Sequence, residues 1–122
     1  MAAVLTSGKT IRAAFDQIFS PTLLSDTVNA LMALQANNVT GAVNICSPEA
    51  WSRYDLALKM ADCLGVNIKK VEKISLDDLK ESFTRPKNTT MATERLGKET
   101  DCQFTSITHC IEKVAGIWKV FK

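Results

Sequence analysis

Two short stretches of the chain hold residue types suited to gripping a small polar molecule. Asp16 to Thr22 brings a carboxylate, an amide, a proline and a hydroxyl together just after an apolar run, where a loop on a packed scaffold can reach a ligand. Arg85-Pro86-Lys87-Asn88 sets a guanidinium on a stiffened loop, and a guanidinium makes forked contacts with phosphate or carboxylate oxygens. Both stretches also admit an ordinary structural role. Asp and Asn are common turn residues, and Arg85 can pair with Asp77, Asp78 or Glu81.

No catalytic set accompanies them. Tyr54 and Lys59 are five positions apart, whereas a Tyr-x-x-x-Lys acid/base pair needs one helical turn so that the ammonium can lower the phenol pKa. Tyr54 therefore reads as a residue at a helix start. His109 falls on the polar side of the last helix and reads as a solvated side chain. Gly8-Lys9-Thr10 ends like a phosphate loop, but the first glycine of that motif would fall at Ala3 and no strand precedes it. There is no G-x-G-x-x-G turn for a dinucleotide pyrophosphate and no G-x-S-x-G. The residues thus assign no catalytic, cofactor-binding or metal-binding role. Cys46, Cys63, Cys102 and Cys110 form no C-x-x-C pair and read as buried reduced thiols, and the two Asn-x-Thr sequons at Asn38 and Asn88 read as chance.

The elements that must position these loops follow from periodicity. Met1 to Thr6 reads as the end of a helix closed at Ser7-Gly8, and Thr10 to Phe15 as a short strand. Leu24, Val28, Leu31, Met32 and Leu34 recur near the 3.6-residue period and predict an amphipathic helix capped by Thr22 or Ser25 and ending near Asn37-Asn38. Ala42 to Cys46 is a nearly continuous apolar run, as in a strand covered on both faces. Ser52 and Asp55 make a capping-box-like start for a helix with Leu56, Ala57, Met60, Ala61 and Leu64 on one face and Gly65 at its end. Trp51, just before that start, reads as core or staple. Lys70 to Ile74 alternates as a half-exposed strand, Ser75 caps a short turn over Leu76 to Leu79, and Ala92 to Leu96 is a short helix before Gly97. Ile107, Cys110, Ile111, Val114 and Trp118 form the stripe of a last helix capped by Thr105 or Ser106. The alternation of strands and helices predicts an α/β architecture with a partly parallel sheet.

Composition agrees with a folded chain of one domain. Of 122 residues, 46 % are hydrophobic and 23 % charged, and 15 basic against 13 acidic side chains leave a net charge of +2. That balance excludes disordered and low-complexity classes. The charge is spread along the chain, which gives no nucleic-acid footprint. No apolar run approaches the ~20 residues that a membrane span requires, and the expectation is a cytoplasmic protein.

In order along the chain, Asp16-Gln17-x-x-Ser20-Pro21-Thr22-Leu23-Leu24-Ser25-Asp26-Thr27, Gly41-Ala42-Val43-Asn44-Ile45 with Ser52-Arg53-Tyr54-Asp55-Leu56-Ala57, and Arg85-Pro86-Lys87-Asn88 resemble the C-terminal part of the dTDP-4-dehydrorhamnose reductase group. These are NAD(P)-dependent extended short-chain dehydrogenase/reductases. The resemblance runs from about Gly8 to Val114. It implies the C-terminal portion of a Rossmann-like fold, with short, partly parallel strands and three main helices. In that family the N-terminal part carries the glycine-rich cofactor turn and the Tyr-x-x-x-Lys pair, while the C-terminal part closes over a nucleotide sugar.

Residues 1–122 then read as a single substrate-binding portion, inactive alone, whose cofactor-binding portion is absent. The chain by itself is expected to bind no cofactor, with NAD(P) belonging to the full-length family. By resemblance Gln17, Thr22 and Arg85 lie nearest the substrate, with Asn88 behind them. The run Ala42 to Cys46 would belong to the edge of the cofactor-binding sheet, so its partner is the missing portion or another subunit. A second reading is a non-catalytic regulatory subunit, because the beta subunit of methionine adenosyltransferase has a similar Ser/Thr-x-Tyr helix start and Arg-Pro-x-Asn loop. A third is a small α/β interaction domain without a ligand.

Overall fold

The structure, a computed structural model, describes residues 1–79 and 83–121. Helix α1 (Ala2–Thr6) turns through Gly8, at φ +77°, into strand β1 (Ile11–Ala14). A backbone with that positive φ suits a residue without Cβ. The chain then forms a two-residue strand β2 (Ile18–Phe19), helix α2 (Leu24–Ala36), strand β3 (Trp51–Ser52) and helix α3 (Arg53–Leu64). Strand β4 (Val71–Ile74) lies between two 3₁₀ turns, Ile68–Lys70 and Leu76–Asp78, and helices α4 (Glu94–Glu99) and α5 (Ile107–Val120) complete the described chain.

Strands β1 and β4 pair in parallel, from Ile11 opposite Val71 to Ala14 opposite Ile74, and β2 pairs antiparallel with β3. The parallel pair is covered on both faces. Ala13 and Val71 pack with α3, while Ala14 and Ile74 pack with Leu76 and Leu79 on the other side. The alternating pattern of residues 70–74 predicted one exposed face, but it is the middle residues Glu72 and Lys73 that are exposed.

Helix α3 is the hub. Its Ala57 and Ala61 are fully buried, and small side chains there let α3 approach both the sheet and α5 closely. The α3 cap forms as predicted: the Ser52 hydroxyl accepts from Asp55 N–H at 3.0 Å and donates to Asp55 Oδ2 at 2.6 Å, and Gly65 ends the helix at φ +70°. Helix α5 buries Ile107, Cys110, Ile111 and Ala115, with Ser106 Oγ accepting from His109 N–H. Val114, expected in that stripe, is instead 44 % exposed.

Three expectations fail for local reasons. Helix α2 has neither Thr22 nor Ser25 as a cap. Thr22 Oγ1 donates to Ser20 O and accepts from Ser47 N–H, so it joins two loops instead. Residues 42–46 form no ladder among the described residues, since an apolar run becomes a strand only beside another strand. In its place Arg95 donates to the carbonyls of Thr40 and Ala42, at 2.6 and 2.8 Å, and Asn44 donates to Ala92 O at 3.0 Å. Gly97 does not end the short helix before it but lies inside α4, whose Leu96 is buried.

The apolar face of α2 turns outward. Asp26 and Ala30 face the protein, with Asp26 Oδ2 accepting from Thr105 N–H at 2.7 Å. Leu24, Val28, Leu31 and Met32 are 45 to 77 % exposed. All four cysteines are free, but only Cys46 and Cys110 are buried, while Cys63 and Cys102 are partly exposed. No helix among the described residues is long and apolar enough to cross a membrane, and none of them form a metal-binding cluster of His, Cys, Asp and Glu.

Candidate functional site

Because β1 and β4 are parallel, their carboxyl ends open at the same place. Ligands of open α/β sheets bind at such ends. Beyond β1 come Phe15, Asp16 and Gln17, and beyond β4 comes Ser75. The antiparallel pair β2–β3 lies against this region, with Arg53 N–H donating to Gln17 O at 3.1 Å. On the other side of β2 runs the loop carrying Asn88: Ile18 N–H donates to Lys87 O and Thr89 N–H to Ile18 O.

Asp16 joins these loops. Its Oδ1 accepts from Leu76 N–H at 2.6 Å, and its Oδ2 accepts from Ser75 Oγ at 2.8 Å and lies 3.1 Å from Lys87 Nζ. Lys87 also reaches Asp77 Oδ2 at 2.6 Å. Burial is the largest influence on the Asp16 carboxyl and opposes its ionisation. The bonds from Leu76, Ser75 and Lys87 together outweigh it and bring the pKa down to about 2. Lys87 is raised above its ordinary value, first by Asp77 and then by Asp16. Asp16 and Lys87 thus hold the framework together, and their charges are committed to each other and to Asp77.

Gln17 immediately precedes β2, and Asn88 bridges to Ile18 within it. The Gln17 side-chain amide makes no hydrogen bond among the described residues, while Asn88 Oδ1 accepts from Thr90 N–H and Thr90 Oγ1. Arg85 sits on the Asn88 loop with its guanidinium carbon 5.3 Å from the Phe83 ring centre. Glu81, one of the carboxylates available to Arg85 by sequence, lies outside the described residues. Thr22 is placed apart, on a cavity of about 210 Å³ lined mainly by Pro21, Leu56, Met60, Ile107, Ile111 and Val114. That lining suits no sugar or phosphate.

Two cations at the site carry no signal in the sequence. The Arg53 guanidinium lies over the Phe19 ring at 5.4 Å, and Lys73 Nζ lies over Phe15 at 4.9 Å and Tyr54 at 5.5 Å. These pairs join residues from 19 to 58 positions apart, and no local spacing reveals such contacts.

The chain's own residues do not suit a dinucleotide. The described positive-φ glycines Gly8, Gly41 and Gly65 follow helix ends or a turn, and none lies between a strand and the helix after it, where a pyrophosphate would be cradled. Lys59 points to Glu112 of α5 at 3.5 Å, while Tyr54 packs at the core edge beside Lys73, so the two form no acid/base pair.

A family profile described as the RmlD substrate binding domain matches residues 1–117. No curated protein matches the chain significantly. Among solved structures, a dTDP-4-dehydrorhamnose reductase from Bacillus anthracis in complex with NADP aligns over 91 % of this chain and 39 % of its own, with TM-score 0.80 and 20 % identity. A dTDP-4-dehydrorhamnose reductase ortholog from Clostridium acetobutylicum aligns over 97 % and 42 %, with TM-score 0.84 and 16 % identity. The reductase from Yersinia enterocolitica aligns over 93 % and 40 %, with TM-score 0.76 and 19 % identity. These likenesses show the fold, and the chain spans about two fifths of the length of each. With its profile covering residues 1–117, the chain belongs to the RmlD substrate binding domain family.

Proposed function

We propose that the chain is the substrate-binding portion of an NAD(P)-dependent nucleotide-sugar reductase of the dTDP-4-dehydrorhamnose type, inactive by itself. The observation that carries this reading is the convergence of Gln17, Arg53 and the Arg85–Asn88 loop around β2, at the carboxyl ends of β1 and β4. Amide and guanidinium groups on ordered loops are suited to sugar hydroxyls and phosphate oxygens. In this reading Gln17, Arg85 and Asn88 contact the substrate, and Thr22 shapes the loop through Ser20 and Ser47. Hydride transfer belongs to the portion that holds the nicotinamide cofactor.

The outward apolar stripe of α2 and the unpaired run at residues 42–46 support such a portion as the partner. An apolar helix face and an unpaired backbone are what a neighbouring strand and helix would cover. The test is a protein in which this chain is joined to a cofactor-binding portion, assayed for NADPH oxidation with a dTDP-4-keto sugar. Arg85→Ala should raise KM about tenfold with kcat little changed. An unchanged KM removes Arg85 from the site. A joined protein that binds NADPH without turnover fits the regulatory-subunit reading instead.

A further inference from the structure

We propose that Arg53 and Lys73 hold the phosphate groups of the ligand. This rests on the nucleotide-sugar reading above and adds two residues to it, one from the start of α3 and one from β4. Three observations converge on them.

The first is charge. Arg12 faces Glu72, Lys59 faces Glu112, Lys87 is held by Asp16 and Asp77, and Arg95 is bonded to two carbonyls and Glu99. Arg53 and Lys73 have no carboxylate partner among the described residues; exposed lysines such as Lys9, Lys69 and Lys98 have none either, but of these cations only Arg53 and Lys73 also lie over aromatic rings. Neither cation is held in an ion pair, so an oxyanion that approaches them has no bound carboxylate to displace.

The second is orientation. Each cation rests on aromatic rings, Arg53 on Phe19 and Lys73 on Phe15 and Tyr54. A guanidinium held over a ring loses rotamer freedom, and its N–H groups remain suited to forked contact with oxygen. Lys73 is exposed, and an ammonium has three donors and no acceptor, which suits it to oxyanion contact.

The third is place. Phe15, Gln17 and Phe19 alternate along the segment that leaves β1, and Arg53 lies across from Gln17 through the bond to its carbonyl. Lys73 sits one residue before the end of β4 and lies over the ring of Tyr54, the neighbour of Arg53, which brings both cations to the carboxyl end of the parallel pair. A diphosphate, with two groups of oxygens, matches two cations at one end of the sheet.

The probes are dTDP, dTMP and thymidine, titrated calorimetrically into the 122-residue chain and its Arg53→Gln and Lys73→Gln variants. Both side chains are exposed, and circular dichroism verifies that the variants fold. Each substitution should weaken dTDP binding about tenfold or more, as expected for loss of a charge-assisted contact, and leave thymidine binding unchanged. Arg53→Lys should recover part of the loss. The proposal is overturned if both Gln variants bind dTDP as tightly as the parent, or if the parent binds dTDP no better than thymidine. Loss of dTDP binding on Gln17→Ala or Arg85→Ala alone would keep the nucleotide-sugar reading and discard this placement. The KM assay of the joined protein tests that reading independently of the result here.

Discussion

The carboxylate of Asp16 ties the segment after β1 to the turn after β4 and to Lys87. Its folded pKa of about 2 lies below the ordinary 3.8. A depressed carboxylate pKa stabilises the fold above the unfolded value, and that contribution is lost as pH falls through the folded value. Asp16→Asn should therefore lower the melting temperature at neutral pH, with the gap to the parent narrowing between about pH 4 and pH 2. A gap that does not change with pH would show that the charge of Asp16 does not matter. Asp16 was legible as a polar loop residue but not as a joint, because its partners Ser75 and Leu76 are some sixty positions away. The divergence of Tyr54 and Lys59, in contrast, followed from helical arithmetic, and the structure agrees. Arg53 and Lys73 were illegible because each acquires its meaning from a ring brought close by folding.

At the scale of elements, α3 and α5 were readable to within a few residues, since a capped, periodic segment contains most of its own signal. The run from Ala42 to Cys46 carries the signal of a strand, yet a strand also needs a neighbour, which no local pattern supplies. What holds it here is chiefly the Arg95 fork on Thr40 and Ala42. Arg95→Met should lower the NMR order parameters of residues 40–46 while the melting temperature stays nearly unchanged, because Arg95 lies outside the core. Unaltered order parameters would mean that the bonds of Asn44 to Ala92 O and of the Cys46 thiol to Met91 O suffice. The outward stripe of α2 is the same lesson on a helix. Periodicity locates an apolar face, and only the surrounding layers decide what lies against it.

For the whole molecule, the α/β class and the family were legible from ordered motifs spread over most of the chain, whereas the orientation of α2 was not. If the stripe is a docking face for a cofactor-binding portion, Leu31→Lys with Met32→Lys should abolish association of the two portions mixed in solution. The double variant should also be more soluble than the parent. Association that survives the change would move the interface elsewhere. Both sites, 54 and 65 % exposed, can take a lysine without disturbing the core. The parallel pairing of β1 with β4 also has a consequence in time. Ile11 meets Val71 sixty residues later, so during synthesis at about 5–20 residues per second the first strand waits roughly 3 to 12 s for its partner. Closing so long a loop before any sheet energy is gained makes this a slow folder for its size, and β1 is the segment in which a pause in translation would be felt first.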